Sequence, residues 1–307
     1  VASFRNRDVL SILDLSRKDI ECIFASADKL EYLVMERKRS TILKGKILGS
    51  LFFQPSTRTR LSFESAMQRL GGTVIGWAEP KQSRAGDSYQ ETLADTARVV
   101  QSYADVIAMR HPDNGAAVEF AKWSEIPVIN GGDGTNEHPT QALLDLYTIK
   151  KDKGRIDGLK VLMIGDMITE RVLHSLPYAL AKFEDTSLYS LAPEGLRMPK
   201  KYKDAFKNLN LQYEEIDSMD DVIKDVDVIY SCTVVHNRRD ITEEPYRITL
   251  AKLKDAKSDV IVLNPLPRVD ELAEDVDDTP YQRYFLQPLN GVTIRMALFA
   301  LVLGAEV

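Results

Sequence analysis

Cysteine is nearly absent. The 307-residue chain holds two, Cys22 and Cys232, with no C-x-x-C pair and no zinc-type spacing. A disulfide framework is therefore excluded, and two buried free thiols in a reducing, cytoplasmic setting are expected. Long apolar runs are missing too. The most apolar stretch, GVTIRMALFALVLG, is interrupted by Arg295 and too short to span a bilayer, so it reads as a buried final helix. The opening VASFRNRDVL carries charges where a signal peptide needs apolar residues. Neither a membrane role nor a secretory route is expected. A net charge of −6 disfavours any extended nucleic-acid partner, while leaving room for a local basic site for a small anion. There is no serine elbow, H-E-x-x-H, acidic metal cage or P-loop, and no G-x-G-x-x-G. Metal and cofactor chemistry have no foothold, so none is expected.

What is present is strand–helix alternation, twice over. KILGSLFF (46–53), TVIGWA (from 73), VIAMR (106–110) and PVINGG (127–132) read as buried strands. Helices are expected from Ser16 to about Leu33, over Phe63–Met67–Leu70, at 91–103 and at 115–123. LKVLMIGD, SLYSLAP, LQYEEI, DVIYSC and DVIVLNPL form a second set, with helices near 170–183, 199–208, 218–224 and 248–256. Between the sets, HPTQALLDLYTIKKDKG has proline at its first turn and glycine at its end, as a connecting helix should. The expected fold is α/β, with two doubly wound parallel-sheet domains of similar size. The boundaries read as 1–138 plus 291–307, a connector helix at 139–152, and 153–290.

Chemistry concentrates at strand ends, where parallel α/β sheets bind ligands. QPSTRTRLSF follows the first strand and opens a helix. Ser56, Thr57 and Thr59 offer hydroxyls, Arg58 a planar fork, and the helix N-terminus free N–H groups: a cradle for phosphate. The alternative is a plain N-cap with solvent-facing arginines. Arg110 ends another strand. His138 and Gln141 stand on the first turn of the connector, close enough to face one carbonyl oxygen. Arg171 and His174 share a helical face after GDM. Pro265, Leu266 and Pro267 offer carbonyls in a segment whose prolines cannot donate, or simply a rigid turn. Without metal or covalent nucleophile, an arginine-lined site points to acyl transfer from an activated anionic donor.

FFQPSTRTRLSFESAMQRLGG, ETLADT, MRHP, NEHPTQALLDLYTI, R-x-x-H-S-L and NPLPRVDE, in this order, resemble the aspartate/ornithine carbamoyltransferase family over essentially the whole chain, and most closely its aspartate-using members. The resemblance implies transfer of a carbamoyl group from carbamoyl phosphate to L-aspartate, giving N-carbamoyl-L-aspartate for pyrimidine synthesis. It implies two domains joined by crossing helices, and a cytoplasmic homotrimer with shared active sites, with regulatory chains as further partners. It assigns Ser56, Thr57, Arg58 and Thr59 to the phosphate, and Arg110, His138 and Gln141 to the carbonyl. Pro265 and Leu266 fall to the carbamoyl amide and acceptor amine, and Arg171 to an aspartate carboxylate. Three positions depart. Tyr89, after Ser88, stands where a donated loop brings lysine, leaving Lys81 or Arg84 as substitutes. Thr233 or Val234, then Val235 or His236, replace an acceptor-gripping arginine and glutamine, with Arg238 and Arg239 close behind. Gln54 replaces a glutamate. These departures leave two alternatives open: a different amino acceptor, or a weakened homologue with an assembly or regulatory role.

Overall fold

The computed structural model describes residues 4–79, 84, 91–234 and 244–307, which divide into two units, Val1–Leu144 with Pro288–Val307 and Asp145–Gln287.

In the first unit β1 (Ile47–Phe52), β2 (Thr73–Trp77), β3 (Val106–His111) and β4 (Val128–Asp133) form a wholly parallel sheet in the order β2-β1-β3-β4. The central strands are buried on both faces, which is why they read as unbroken apolar runs, whereas edge strand β2 is half exposed. Helices α1 (Arg17–Met35), α2 (Arg58–Arg69), α3 (Leu93–Val100) and α4 (Ala116–Ala121) accompany it. Ser16 and Asp19 close a reciprocal capping box on α1, which buries Ile20, Ile23, Phe24, Leu30 and Leu33. Each such side chain contributes about 1.5–3 kcal/mol. Gly71, past the end of α2, takes φ +86°, and a Cβ there would meet the Ser40 carbonyl at 2.5 Å, so only glycine fits this stop. Residues 8–10 lie along β4: Val9 exchanges backbone bonds with Val128 and Asn130, and the Asp8 carboxylate accepts from Val128 N.

α5 (Pro139–Lys153) runs from the first unit into the second and is buried from Pro139 to Ile149. The second unit carries β5 (Lys160–Ile164), β6 (Ser187–Leu191), β7 (Gln212–Ile216), β8 (Val228–Ser231) and β9 (Ile261–Leu263), again all parallel, in the order β7-β6-β5-β8-β9. Helices α6 (Val172–Leu180) and α7 (Lys200–Asn208) match expected stretches. The helices expected at 218–224 and 248–256 do not form; only short 3-10 turns stand there, Met219–Asp221 and Lys252–Asp255. In the first, Ser218 and Asp221 satisfy each other's backbone within one turn, leaving nothing to propagate.

α8 (Gln287–Val302) is the apolar C-terminal helix. Arg295 is 2% exposed in the core of the first unit, where its guanidinium donates to Ser62 Oγ (2.9 Å) and Thr140 Oγ1 (3.2 Å) and lies 4.7 Å over the Phe63 ring. Among the described residues no helix is long and apolar enough to cross a membrane. Both cysteines are free. Cys232, after β8, is buried, and burial raises its thiol well above the ordinary value; Cys22 on α1 is only half-buried, against expectation, because α1 turns that face outward.

Candidate functional site

In the first unit the strand order reverses direction between β1 and β3, so their carboxyl ends flank a crevice of the type that receives ligands. β1 leads into Gln54–Thr57 and then α2. Thr57, at the N-cap, makes no side-chain cap, so the first N–H groups of α2 are not closed off by it. Arg58 opens the helix. Its guanidinium is solvent-reached yet crowded enough that desolvation lowers its pKa, without endangering its charge.

Arg110 ends β3 opposite these residues. Its Nε donates to Gln54 Oε1 (3.0 Å) and one terminal nitrogen to Ser56 Oγ (3.1 Å), so the guanidinium is held in one orientation. The β3–β4 register shifts here: Gly131 and Gly132 lie opposite the single residue Arg110, a bulge that re-aims the strand end. Gly131 keeps this bulge free of crowding, since a Cβ would press on Met109 O at 3.0 Å. The neighbouring His111 is a structural residue. Its Nδ1 accepts from Asp113 N (3.1 Å), its ring packs on Phe53, and burial lowers its pKa, so it is neutral.

Past β4 the chain folds around one carboxylate. Asp133, 1% exposed, accepts from Asn130 Nδ2 (2.9 Å) and Glu137 N (3.2 Å) on one oxygen. The other takes Gly115 N (2.7 Å) and Asn136 Nδ2 (3.1 Å). Glu137 in turn accepts from Ser11 Oγ (2.5 Å) and Ile12 N (3.1 Å). Burial raises its carboxyl above the ordinary range, those two bonds opposing and the Asp133 charge reinforcing the rise. This frame delivers His138, buried at the start of α5, with Nε2 3.3 Å from Thr59 Oγ1 on α2. Gln141 follows one turn later, its N–H donating to the His138 carbonyl. Of the expected donor-side residues, Arg110 is thus bonded directly to Ser56 and Thr59 to His138, while Thr57, Arg58 and Gln141 adjoin them. Together they present two guanidinium cations, three hydroxyls, an imidazole and a helix N-terminus, a set able to hold a phosphate and polarise an adjoining carbonyl.

The second unit reverses strand order between β5 and β8. After β5, Asp166 caps a tight turn, accepting from Ile168 N, Thr169 N and Thr169 Oγ1, and sets half-buried Arg171 at the N-cap of α6. His174 does not share a ligand face with it. It is fully buried, stacked on Tyr202 at 4.0 Å with Nε2 on the Met167 carbonyl, because α7 covers that side of α6. After β9 come Pro265, Leu266 and exposed Pro267. β9 lies two strands from β5, so this segment and the Arg171 turn leave the same end of one sheet, their strands about 10 Å apart. Leu266 takes φ +54°, and its N–H donates to Asn264 Oδ1 at 2.7 Å. The neighbouring Arg268 is committed to Asp277, gripping both carboxylate oxygens.

Thr233 is half-buried and Val234 buried just after β8. Lys81, Ser88, Tyr89, Val235, His236, Arg238 and Arg239 lie outside the described residues. Arg84 is exposed, its carbonyl accepting Glu91 N at 3.0 Å. Asp133, Glu137, Asn264, Glu271 and Gln287 escaped the sequence reading. Glu137, Asn264 and Glu271 stand within the N-E-H-P-T-Q and N-P-L-P-R-V-D-E motifs, the one signal for them; Asp133 and Gln287 carried none. Among the described residues no group of three or more His, Cys, Asp or Glu side chains could hold a metal ion.

Two family models cover the chain: "Aspartate/ornithine carbamoyltransferase, carbamoyl-P binding domain" over residues 7–151 and "Aspartate/ornithine carbamoyltransferase, Asp/Orn binding domain" over 157–302. The chain is 46% identical over 316 residues to the aspartate carbamoyltransferase catalytic subunit of Methanopyrus kandleri, covering 99% of each. It is 45% identical to that of Aliivibrio fischeri, covering 98% of each. Among solved structures it resembles aspartate transcarbamoylase from Trypanosoma cruzi in complex with carbamoyl aspartate and phosphate (TM-score 0.91, 34% identity, 99% of this chain and 98% of that one). It also resembles the catalytic subunit of M. jannaschii aspartate transcarbamoylase (TM-score 0.88, 41% identity, 95% and 96%).

Proposed function

Because the chain belongs to the aspartate/ornithine carbamoyltransferase family, we propose that it transfers the carbamoyl group of carbamoyl phosphate to the amino group of L-aspartate. The observation that carries this reading is the preassembled donor site: Arg110 fixed on Ser56 and Gln54 beside Thr59 on His138, at the mouth of α2. Ser56, Thr57, Arg58 and the α2 N-terminus hold the phosphate. Arg110, Thr59, His138 and Gln141 surround the carbonyl oxygen. Arg171 takes an acceptor carboxylate, and the carbonyls of Pro265 and Leu266 take the carbamoyl amide and the attacking amine.

The neutral amine attacks the carbonyl carbon, and its electron pair pushes the carbonyl electrons onto oxygen. The resulting oxyanion meets Arg110, Thr59 and His138, whose orientation is set before substrate arrives. Collapse of the oxyanion breaks the carbon–oxygen bond to phosphate. The leaving phosphate carries away the proton lost by the amine, so the protein needs no covalent nucleophile. The chain's role is orientation and charge stabilisation.

Incubating the protein with labelled carbamoyl phosphate and a panel of amino acids tests this, with products read by mass. Carbamoylaspartate is expected. A product only from another amine would replace aspartate as acceptor, a reading favoured by the absence of a basic side chain at Thr233 and Val234. Phosphate binding with no product from any amine would make the chain a non-catalytic homologue. A homotrimer in the cytoplasm, with regulatory chains as further partners, is supported by family resemblance alone, and light scattering of the purified protein tests the trimer.

A further inference from the structure

Leu266 poses a physical question. A γ-branched residue at φ +54° sits in the left-handed region that disfavours any side chain bearing a Cβ, so something must hold it there. The holder is Asn264, 1% exposed. Its side-chain oxygen accepts Leu266 N at 2.7 Å, and its amide nitrogen donates to Glu271 Oε1 at 2.9 Å. The other Glu271 oxygen takes Val269 N at 3.0 Å, so one carboxylate, 4% exposed, closes the 264–271 segment from inside. The Asn264 backbone N–H donates to Gln287 Oε1 at 2.9 Å. The Gln287 amide donates to Asp145 at 2.6 Å, and Asp145 also accepts Tyr230 OH at 2.8 Å.

The polarity of this chain of bonds is forced. A carboxylate only accepts, so the Asn264 amide must turn its NH2 to Glu271 and its oxygen to Leu266, and a flipped amide is excluded. Two buried carboxylates are expensive, and a loop needing only stability would be closed as well by apolar contacts. Here they stabilise one setting of a segment whose carbonyls are flanked by prolines that cannot donate. We propose that Asn264 and Glu271 are positioning residues for the acceptor: they aim the Pro265 and Leu266 carbonyls at the incoming amine. This rests on the reading that those carbonyls receive the amine.

The test reverses the bond. N264D keeps the oxygen for Leu266 N but sets two carboxylates face to face. Adding E271Q restores a donor–acceptor pair of opposite polarity, with the new amide donating to the new carboxylate and still accepting Val269 N. For N264D, kcat/KM for aspartate is expected to fall about hundredfold, through KM and kcat together. Carbamoyl-phosphate binding, measured directly by calorimetry, should weaken by no more than about fivefold, because these carbonyls meet only the carbamoyl NH2 of the donor, and the double variant should recover to within about fivefold of wild type. Should N264D not fold, E271Q alone decides. It opposes two donors without adding charge, and should raise the aspartate KM about tenfold while carbamoyl-phosphate binding weakens about threefold or less. Unchanged aspartate kinetics, a loss falling equally on donor binding, or a double variant no better than N264D would each overturn the proposal. Wild-type protein in the same assay separates the two readings. No carbamoylaspartate from wild type refutes the function and this inference with it, whereas wild-type turnover with indifferent variants refutes this inference alone.

Discussion

Replacing Asp133 by asparagine changes one atom and should cost the first unit several kcal/mol. Each Asp133 oxygen accepts two bonds, from Asn130 and Glu137 N on one side and from Gly115 N and Asn136 on the other. An amide oxygen can serve only one of these pairs. Whichever way the new side chain turns, two donors face its NH2, at a site 1% exposed. At about 1–3 kcal/mol for each stranded donor the loss is about 2–6 kcal/mol, slightly offset by removing the repulsion between Asp133 and Glu137. Both tryptophans, Trp77 and Trp123, lie in the same unit, so urea unfolding followed by tryptophan fluorescence reads the right part of the molecule. The expected change is about 3 kcal/mol at unaltered slope. A loss below about 1 kcal/mol would refute the account of Asp133 as a four-bond hub. Because Glu137 N directly precedes His138, folded D133N should also lose about tenfold in kcat through a mis-set imidazole.

Other substitutions probe the neighbouring contacts. Glu137 holds its proton to higher pH than the unfolded chain does, so stability should fall as pH rises from the ordinary glutamate range through the raised native value. In E137Q that part of the slope should vanish, and a wild-type-minus-variant difference that is flat from pH 4 to about 8 would contradict it. T59V should lower kcat/KM about tenfold to thirtyfold by deleting the hydroxyl beside His138, with T59S within about threefold; a loss in T59S with T59V unaffected would assign the role to the methyl group instead. R295M should cost about 1–2 kcal/mol for the bonds to Ser62 and Thr140, and R295A about 3–4 kcal/mol because a cavity is added; identical losses would show that packing on Phe63 contributes nothing.

The nine strands of the described residues could be read from the chain because each is a local event, and the residues expected to hold the donor stand where those strands end. VIAM, VLMI and VIVL are continuous apolar runs since parallel strands are covered on both faces, and S-T-R-T announces itself by hydroxyls and charge at a helix start. Periodicity failed where local chemistry and burial disagreed. DDVIKD has helical spacing, yet Ser218 and Asp221 complete their own cap and the chain turns away. His174 stands three residues after Arg171, but Tyr202, distant in sequence, decides its surroundings. Hardest to foresee were the hubs. Asp133 gathers donors from 115, 130, 136 and 137, and Asn264 joins 271, 287 and 145. Each partner is an unremarkable polar residue until the fold closes.

The two thiols make the chain its own stopwatch. Cys22 is half-buried and is expected to meet an alkylating reagent in the native state, while Cys232 is buried after β8 with its thiol held protonated, so it should react only when the second unit opens. Counting labels by mass over time would therefore give that unit's opening rate from the unmodified protein, and a ligand that steadies it would announce itself by delaying the second label.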